Sequence, residues 1–206
     1  MDIVYKIGHA LYLNITNRCT NRCGFCVRFK TDNLQGYELK LDQEPTVAEV
    51  LEAIGDPSPY REIVFCGYGE PLLRLEEVVA ISKYLKERRV SIRINTNGHA
   101  NIIHQRNIVP DIAPYVTSVS VSLNAANEEQ YLRLCHPDSG AGTYQKVKDF
   151  ILECKKLIPR VQVTAVALPG VDVKEIERIV NEELGVTFKL RHDDDIITAE
   201  AYGKNP

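Results

Sequence analysis

Short runs rich in Val, Ile and Leu recur along the chain, separated by longer stretches in which apolar positions fall three and four residues apart. The short runs lie at residues 10–16, 62–66, 90–95, 118–123, 161–168 and 186–190, and their length and composition predict strands. The longer stretches, at residues 47–54, 75–88, 107–113, 128–135, 144–157 and 173–183, predict amphipathic helices. Strand and helix alternate, which predicts a parallel sheet with helical crossovers. In residues 118–123, Ser118, Ser120 and Ser122 alternate with Val119, Val121 and Leu123, so this strand has one small polar face and one apolar face. The serines suit the concave side of a curved sheet. Residues 3–6 read as a short extra strand that turns at Gly8 and His9 into the first of the six. Asn97-Gly98 is a hairpin-type pair, yet no partner strand follows it.

The chain has 206 residues, which is most simply one domain over 1–192 with a tail over 193–206. Three aspartates, Asp193 to Asp195, open that tail and read as solvated. There is no apolar stretch of membrane-spanning length and no basic-then-apolar leader, so the expected compartment is the cytoplasm, away from membranes. Formal net charge is -3 with scattered basic residues, a pattern that does not point to nucleic acid. Arg18, Arg22, Arg28 and Lys30 crowd one segment, where they either meet an acidic partner or form a solvated rim.

That segment holds Cys19, Cys23 and Cys26 in the run CTNRCGFC. Three closely spaced thiolates suit an iron-sulfur cube with one iron left open to something other than protein. The same spacing also puts three small hydrophobes on one helical face, but the polar neighbours Asn17, Arg18, Thr20, Asn21, Arg22 and Gly24 supply no apolar stripe for them to extend. Zinc asks for a fourth ligand, and the nearest candidate, His9, is poorly placed. A disulfide framework would leave one of the three unpaired. Cys66, Cys135 and Cys154 are scattered and read as packing residues.

Ligands of parallel α/β sheets gather at the carboxyl ends of the strands. The unusual residues here fall at those ends: the cysteines after the first strand, Gly67-Tyr68-Gly69-Glu70-Pro71 after the second and Thr96-Asn97-Gly98 after the third. Ser122 and Asn124 close the fourth, Leu168-Pro169-Gly170 the fifth and Arg191-His192 the sixth. Gly67 and Gly69 permit close approach of backbone, and Pro71 withholds a donor, which leaves carbonyls to face an ammonium group. Glu70 reads as a helix-start carboxylate that orders its loop, with a catalytic base as the rival reading. His99, His104 and His136 carry no stronger signal.

With these motifs in register the chain resembles the radical SAM superfamily, whose C-x-x-x-C-x-aromatic-C signature is matched by Cys19, Cys23, Phe25 and Cys26. The resemblance spans residues 10–192 and implies a partial (β/α)6 barrel, a parallel sheet with helices on its outer face. It is narrower still to the small radical SAM proteins associated with TatD-family nucleases, through YLNITNRCTNRCGFCVR. The resemblance implies a 4Fe-4S cluster held by the three cysteines, with S-adenosylmethionine on the open iron. It places Tyr68-Gly69-Glu70-Pro71 where the family has Gly-Gly-Glu-Pro holding the methionine amino group, so Tyr68 replaces a glycine. Phe25 and Asn97 fall beside the same cofactor. Ser122 and Asn124 stand where the family holds the ribose, with asparagine where many relatives have aspartate. Thr164 and Val166 on the fifth strand, and His192 on the sixth, look like positions flanking the methionine carboxylate and adenine.

The activity so implied is reductive cleavage of S-adenosylmethionine to a 5'-deoxyadenosyl radical that abstracts hydrogen from a substrate. Activation of a glycyl-radical enzyme is an alternative, and a cluster-bearing electron carrier that never cleaves the cofactor is a rival from another class. A low-potential donor such as flavodoxin or ferredoxin is implied. With little chain after His192 to close the barrel, the sequence predicts a large substrate, a peptide or protein, over the open side.

Overall fold

Asn14 shows how sequence limits the strands in the computed structural model, which describes residues 1–192. The first parallel strand stops at Leu13 although the apolar run continues to Thr16: the Asn14 amide still donates to the Ile3 carbonyl (2.8 Å), but its buried side chain turns to other backbone. Its Nδ2 donates to the carbonyls of Asp2 (3.1 Å) and Leu39 (2.7 Å).

Strands β1 (Val4–Ile7) and β2 (Ala10–Leu13) form an antiparallel hairpin through Gly8, whose φ of +57° suits the residue without a Cβ. A small hairpin of β3 (Asn33–Leu34) and β4 (Tyr37–Glu38) follows, then α1 (Val47–Ile54). Thr46 and Glu49 cap α1 reciprocally, satisfying two amides that the first turn leaves open. Next come β5 (Glu62–Phe65), α2 (Leu75–Glu87) and β6 (Ile92–Thr96). The short helices α3 (Ala100–Ile103) and α4 (Val109–Ile112) lead to β7 (Ser118–Ser122). Helices α5 (Glu128–Cys135) and α6 (Thr143–Leu157) precede β8 (Arg160–Ala167). Helix α7 (Val173–Arg178) runs into a π-helical turn, Ile179–Leu184, before β9 (Thr187–His192).

The sheet order is β1-β2-β5-β6-β7-β8-β9, and every pair after the first is parallel. The six parallel strands and their outer helices make the expected α/β partial barrel. Alternation divides each strand. Leu11, Leu13, Ile63, Phe65, Ile92, Ile94, Val119, Val121 and Val163 join the helices in one large core, which Val78, Ile81 and Leu85 of α2 and Val147, Phe150 and Ile151 of α6 complete. The opposite, helix-free face carries Arg93, Asn95, the three serines, Gln162 and Thr164 in matched register. At its β1–β2–β5 end that face is apolar: Tyr5, Tyr12, Leu34, Leu39 and Val64 form a second cluster under the β3–β4 hairpin.

Three expectations shift. The helix of residues 107–113 shortens to α4 because Asn107 Oδ1 accepts the Val109 amide and so ends the preceding turn. Residues 173–183 divide into α7 and the π turn. The β3–β4 hairpin and α3 are additions, each too short to show a period. The three aspartates and the tail fall outside the described residues. Among the described residues no helix is long and apolar enough to cross a membrane.

Candidate active site

The loop after β2 is tied down before its first cysteine. Asn17 Nδ2 donates to the Leu41 carbonyl (2.7 Å) and its Oδ1 accepts the Leu41 amide (3.0 Å). Arg18 makes a two-pronged pair with Glu44, at 2.7 and 2.9 Å. Further on, the Arg22 amide donates to the Cys135 carbonyl (2.9 Å) and the Gly24 amide to that of Leu134 (3.4 Å), so the loop rests on the C-terminal end of α5. Arg22 also pairs with Asp138 at 2.8 Å. Arg18 and Arg22 are therefore part of the loop's bracing, while Arg28 turns inward to the carbonyls of Asn17 and Asn21.

Cys19, Cys23 and Cys26 are half-buried free thiols on this loop. Burial pushes Cys19 up to about 11, with Glu70 adding to the effect. Contact with Cys135, then burial, raises Cys23, and burial raises Cys26. Arg28 acts in the other direction at all three, and Arg191 does so at Cys26. Two N–H groups point at the Cys19 sulfur, the Asn21 amide at 3.4 Å and Asn97 Nδ2 at 3.7 Å.

The glycines of the next loop serve a contact between loops. A Cβ on Gly67 would stand 2.2 Å from Asn14 Oδ1, and one on Gly69 would stand 2.3 Å from the Arg18 carbonyl oxygen. The close approach of backbone that these glycines permit is thus to residues 14–18. Tyr68 donates its amide to Asn14 Oδ1 (2.9 Å) and its hydroxyl to the Arg28 carbonyl (2.8 Å), and meets Asp32, so it straps the two loops together. Burial and the neighbouring Asp32 push its phenol up to about 12. Glu70 is 3 % exposed and accepts from the Leu72 amide (3.1 Å), Thr96 Oγ1 (2.8 Å) and the Asn97 amide (2.7 Å). It orders its loop. Burial outweighs those three donors and lifts it to about 7. Pro71 opens the short 3-10 turn that Glu70 caps.

Asn97 continues the chain of bonds. Its Nδ2 donates to Thr20 Oγ1 (2.9 Å) and its Oδ1 accepts the His99 amide (2.9 Å). His99, 1 % exposed, bridges Thr20 Oγ1 at 2.9 Å from Nδ1 and Tyr131 Oη at 2.7 Å from Nε2. Burial lowers it to about 4, so it sits neutral. Sequence reasoning missed His99 and Tyr131. The histidine follows a strand-end motif directly, which is a usable signal; Tyr131 lies within the 128–135 helical pattern with nothing in the sequence to set it apart.

At the next strand ends, Ser122 Oγ is 3.4 Å from Thr164 Oγ1, and Asn124, in the left-handed region with φ +58°, accepts the Val166 amide on Oδ1 (3.2 Å). Thr164 and Val166 are buried. Phe25 is half-buried against the main core. Register pairs Val166 with Arg191 and Ala167 with His192, so alternation puts Arg191 on the face shared with Ser122 and Thr164, and His192 on the helix side. Arg191 Nη2 reaches Ser122 Oγ at 3.5 Å. The sequence names Arg191 with His192 at this strand end but gives only His192 a place beside the cofactor. Cys66 lies half-buried against the second apolar cluster, and Cys135 and Cys154 are buried in the main core.

The donor set can be tested against the implied cluster. Among the described residues, no three His, Cys, Asp or Glu side chains gather around a point where a single ion would sit. A cube asks for a different arrangement, since each thiolate binds its own iron. Half-buried thiols on a braced loop, cations beside them and N–H groups aimed at Cys19 fit that demand. Asn21 Oδ1, Arg28 Nε and Arg191 Nε are buried without partners, polar atoms of the kind a zwitterionic ligand satisfies.

A family model described as the Radical SAM superfamily matches residues 13–182. A GTP 3',8-cyclase of Corynebacterium glutamicum is 30% identical over 185 residues, covering 85% of this chain and 46% of the relative. The solved structure of Streptococcus suis SuiB bound to its precursor peptide SuiA has a TM-score of 0.68 at 14% identity, covering 98% of this chain and 43% of that one. A radical S-adenosylmethionine methyltransferase, TsrM from Kitasatospora setae with cobalamin and a [4Fe-4S] cluster bound, has a TM-score of 0.58 at 14% identity, covering 88% of this chain and 36% of that one. The chain spans less than half the length of each of these three.

Proposed function

Because the chain belongs to the radical SAM superfamily of enzymes, we propose that it generates a substrate radical at the carboxyl ends of its strands. When bound there, a reduced 4Fe-4S cluster supplies the electron that cleaves S-adenosylmethionine to methionine and a 5'-deoxyadenosyl radical, which abstracts hydrogen from the substrate.

The chain's own residues divide the remaining work. Cys19, Cys23 and Cys26 hold the cluster, and Arg28 offsets part of the negative charge they bring. Asn97 and the Asn21 amide direct N–H groups at one of the ligating sulfurs. Glu70 fixes the backbone of residues 67–71 relative to residues 96 and 97, so that the amino group of the cofactor meets a loop already in place. Ser122, Asn124, Thr164, Val166 and Arg191 line the neighbouring strand ends, where ribose, adenine and carboxylate need partners. Tyr68, strapped across to residues 28–32, shields the cysteine side from water.

What supports this reading most is the docking of the cysteine loop onto the GYGEP loop, so close that neither Gly67 nor Gly69 has room for a Cβ. An electron carrier needs the cysteines alone and has no use for five further strand ends arranged around them. The expected low-potential donor, of flavodoxin or ferredoxin type, approaches the cysteine loop. The predicted peptide or protein substrate has only a shared fold with SuiB behind it, whereas the polar lining of the helix-free face favours a smaller charged molecule.

The test is anaerobic reconstitution with iron and sulfide, then dithionite and S-adenosylmethionine. Formation of 5'-deoxyadenosine supports the reading; a fully loaded protein that forms none supports the carrier.

A further inference from the structure

At the amino ends of the strands the helix-free face opens into a cavity of about 580 Å³, which the chemistry proposed above does not use. Barrel interiors are ordinarily filled at this level by bulky branched side chains. Here the register row holds Ser118 and Ser120, whose small hydroxyls leave space. The volume lies within the range of small-molecule sites.

Its wall is cationic. Arg93, Lys155 and Arg160 line it, and Glu62 is the one carboxylate among the lining residues, although the whole chain carries a net charge of -3. Arg93 is held in place by Glu62 at 2.8 Å, with longer reaches to Asn95 Oδ1 (3.3 Å) and Tyr12 Oη (3.4 Å). Ser118 Oγ lies 3.4 Å from the second Glu62 oxygen. Lys155 Nζ donates to the Leu184 carbonyl (2.9 Å) and exposed Arg160 reaches Ser91 Oγ at 3.4 Å, single contacts that leave each with further N–H donors at the cavity rim. A partly buried ion pair adds little stability by itself. A surplus of cations around it is what an anion needs. Guanidinium, ammonium and hydroxyl donors on several sides suit a tetrahedral group with many acceptor oxygens better than a planar carboxylate, which one bidentate arginine would satisfy.

We propose that this cavity holds a phosphoryl group at the far end of the substrate. The assignment rests on the radical chemistry lying at the opposite ends of the same strands: Ser118 is about 13 Å along β7 from Ser122 at the usual rise per residue, the span of a nucleotide-sized molecule. The substrate is then an elongated phosphorylated compound, anchored at Arg93, Lys155 and Arg160 with its reacting carbon near Ser122.

The test is calorimetric titration of anaerobically reconstituted protein with inorganic pyrophosphate, and separately with succinate. Saturable pyrophosphate binding is expected, about tenfold weaker in Arg160→Gln and in Lys155→Gln, with succinate weaker than pyrophosphate. No saturable binding, wild-type affinity in both variants, or succinate as the tighter ligand overturns the proposal. Both substitutions are near the surface, and the circular dichroism of each variant verifies its fold. Protein that forms 5'-deoxyadenosine yet ignores pyrophosphate refutes this inference alone; protein that binds pyrophosphate yet never cleaves S-adenosylmethionine refutes the proposed function alone.

Discussion

Two buried side chains, His99 and Glu70, have their titrations displaced in opposite directions by burial. His99 is lowered from the usual imidazole value to about 4, so its contribution to stability is whole above pH 6.5 and is lost as pH falls toward 4. Glu70 is raised to about 7 from 4.5, so its contribution is whole below pH 4.5 and is lost as pH rises toward 7. Between pH 5 and 6.5 the two slopes oppose each other. Chemical denaturation of wild type and His99→Gln is therefore expected to show a stability gap that narrows by up to about 2 kcal/mol from pH 7.5 to pH 5. For Glu70→Gln the gap widens over the same change. Parallel curves in both variants would refute the assignment. A second prediction concerns Asn97, whose Nδ2 points at the Cys19 sulfur. Hydrogen bonds to sulfur help set cluster potentials, so Asn97→Ala should move the cluster's midpoint potential to a more negative value in a redox titration. An unmoved midpoint would leave Asn97 a packing residue only. At this scale the sequence was most legible where spacing itself is chemistry, in the three cysteines and GYGEP. It was least legible for His99 and Tyr131, because their importance comes from partners 79 and 110 residues away.

The cysteine loop and the GYGEP loop behave as one unit. Gly69 faces the carbonyls of Thr16 and Arg18, and backbone has little freedom to retreat. Gly69→Ala should cost about 1–3 kcal/mol by overpacking and should lower iron incorporation on reconstitution. Retained melting temperature and full iron content would show that the loops separate without penalty. Strands and long helices were readable from periodicity, and α1 and α5 begin and end where the pattern places them, at Val47–Ile54 and Glu128–Cys135. The short pieces were not readable. The β3–β4 hairpin has two residues per strand, and α3 and α4 have four residues each, too few for a period to repeat. His192 illustrates a different limit: one residue of register decides which face of β9 a side chain occupies, and composition carries no information about register.

The whole molecule is a sheet with two characters. One face is apolar and sealed by helices, which fixes the fold; the other is polar from Ser118 to Ser122 and carries the chemistry at its carboxyl ends. Alternation in residues 118–123 exposed that division in advance, since three serines opposite three aliphatic residues have no place in a barrel packed on both sides. The proposed chemistry requires one iron left vacant in a cluster that Cys19, Cys23 and Cys26 would hold. Electron paramagnetic resonance of the reduced, anaerobically reconstituted protein, recorded before and after addition of S-adenosylmethionine, tests it most directly. A reduced 4Fe-4S signal whose g-values shift on addition, and which Cys23→Ala abolishes, is the predicted result. A spectrum that S-adenosylmethionine leaves unchanged would contradict it.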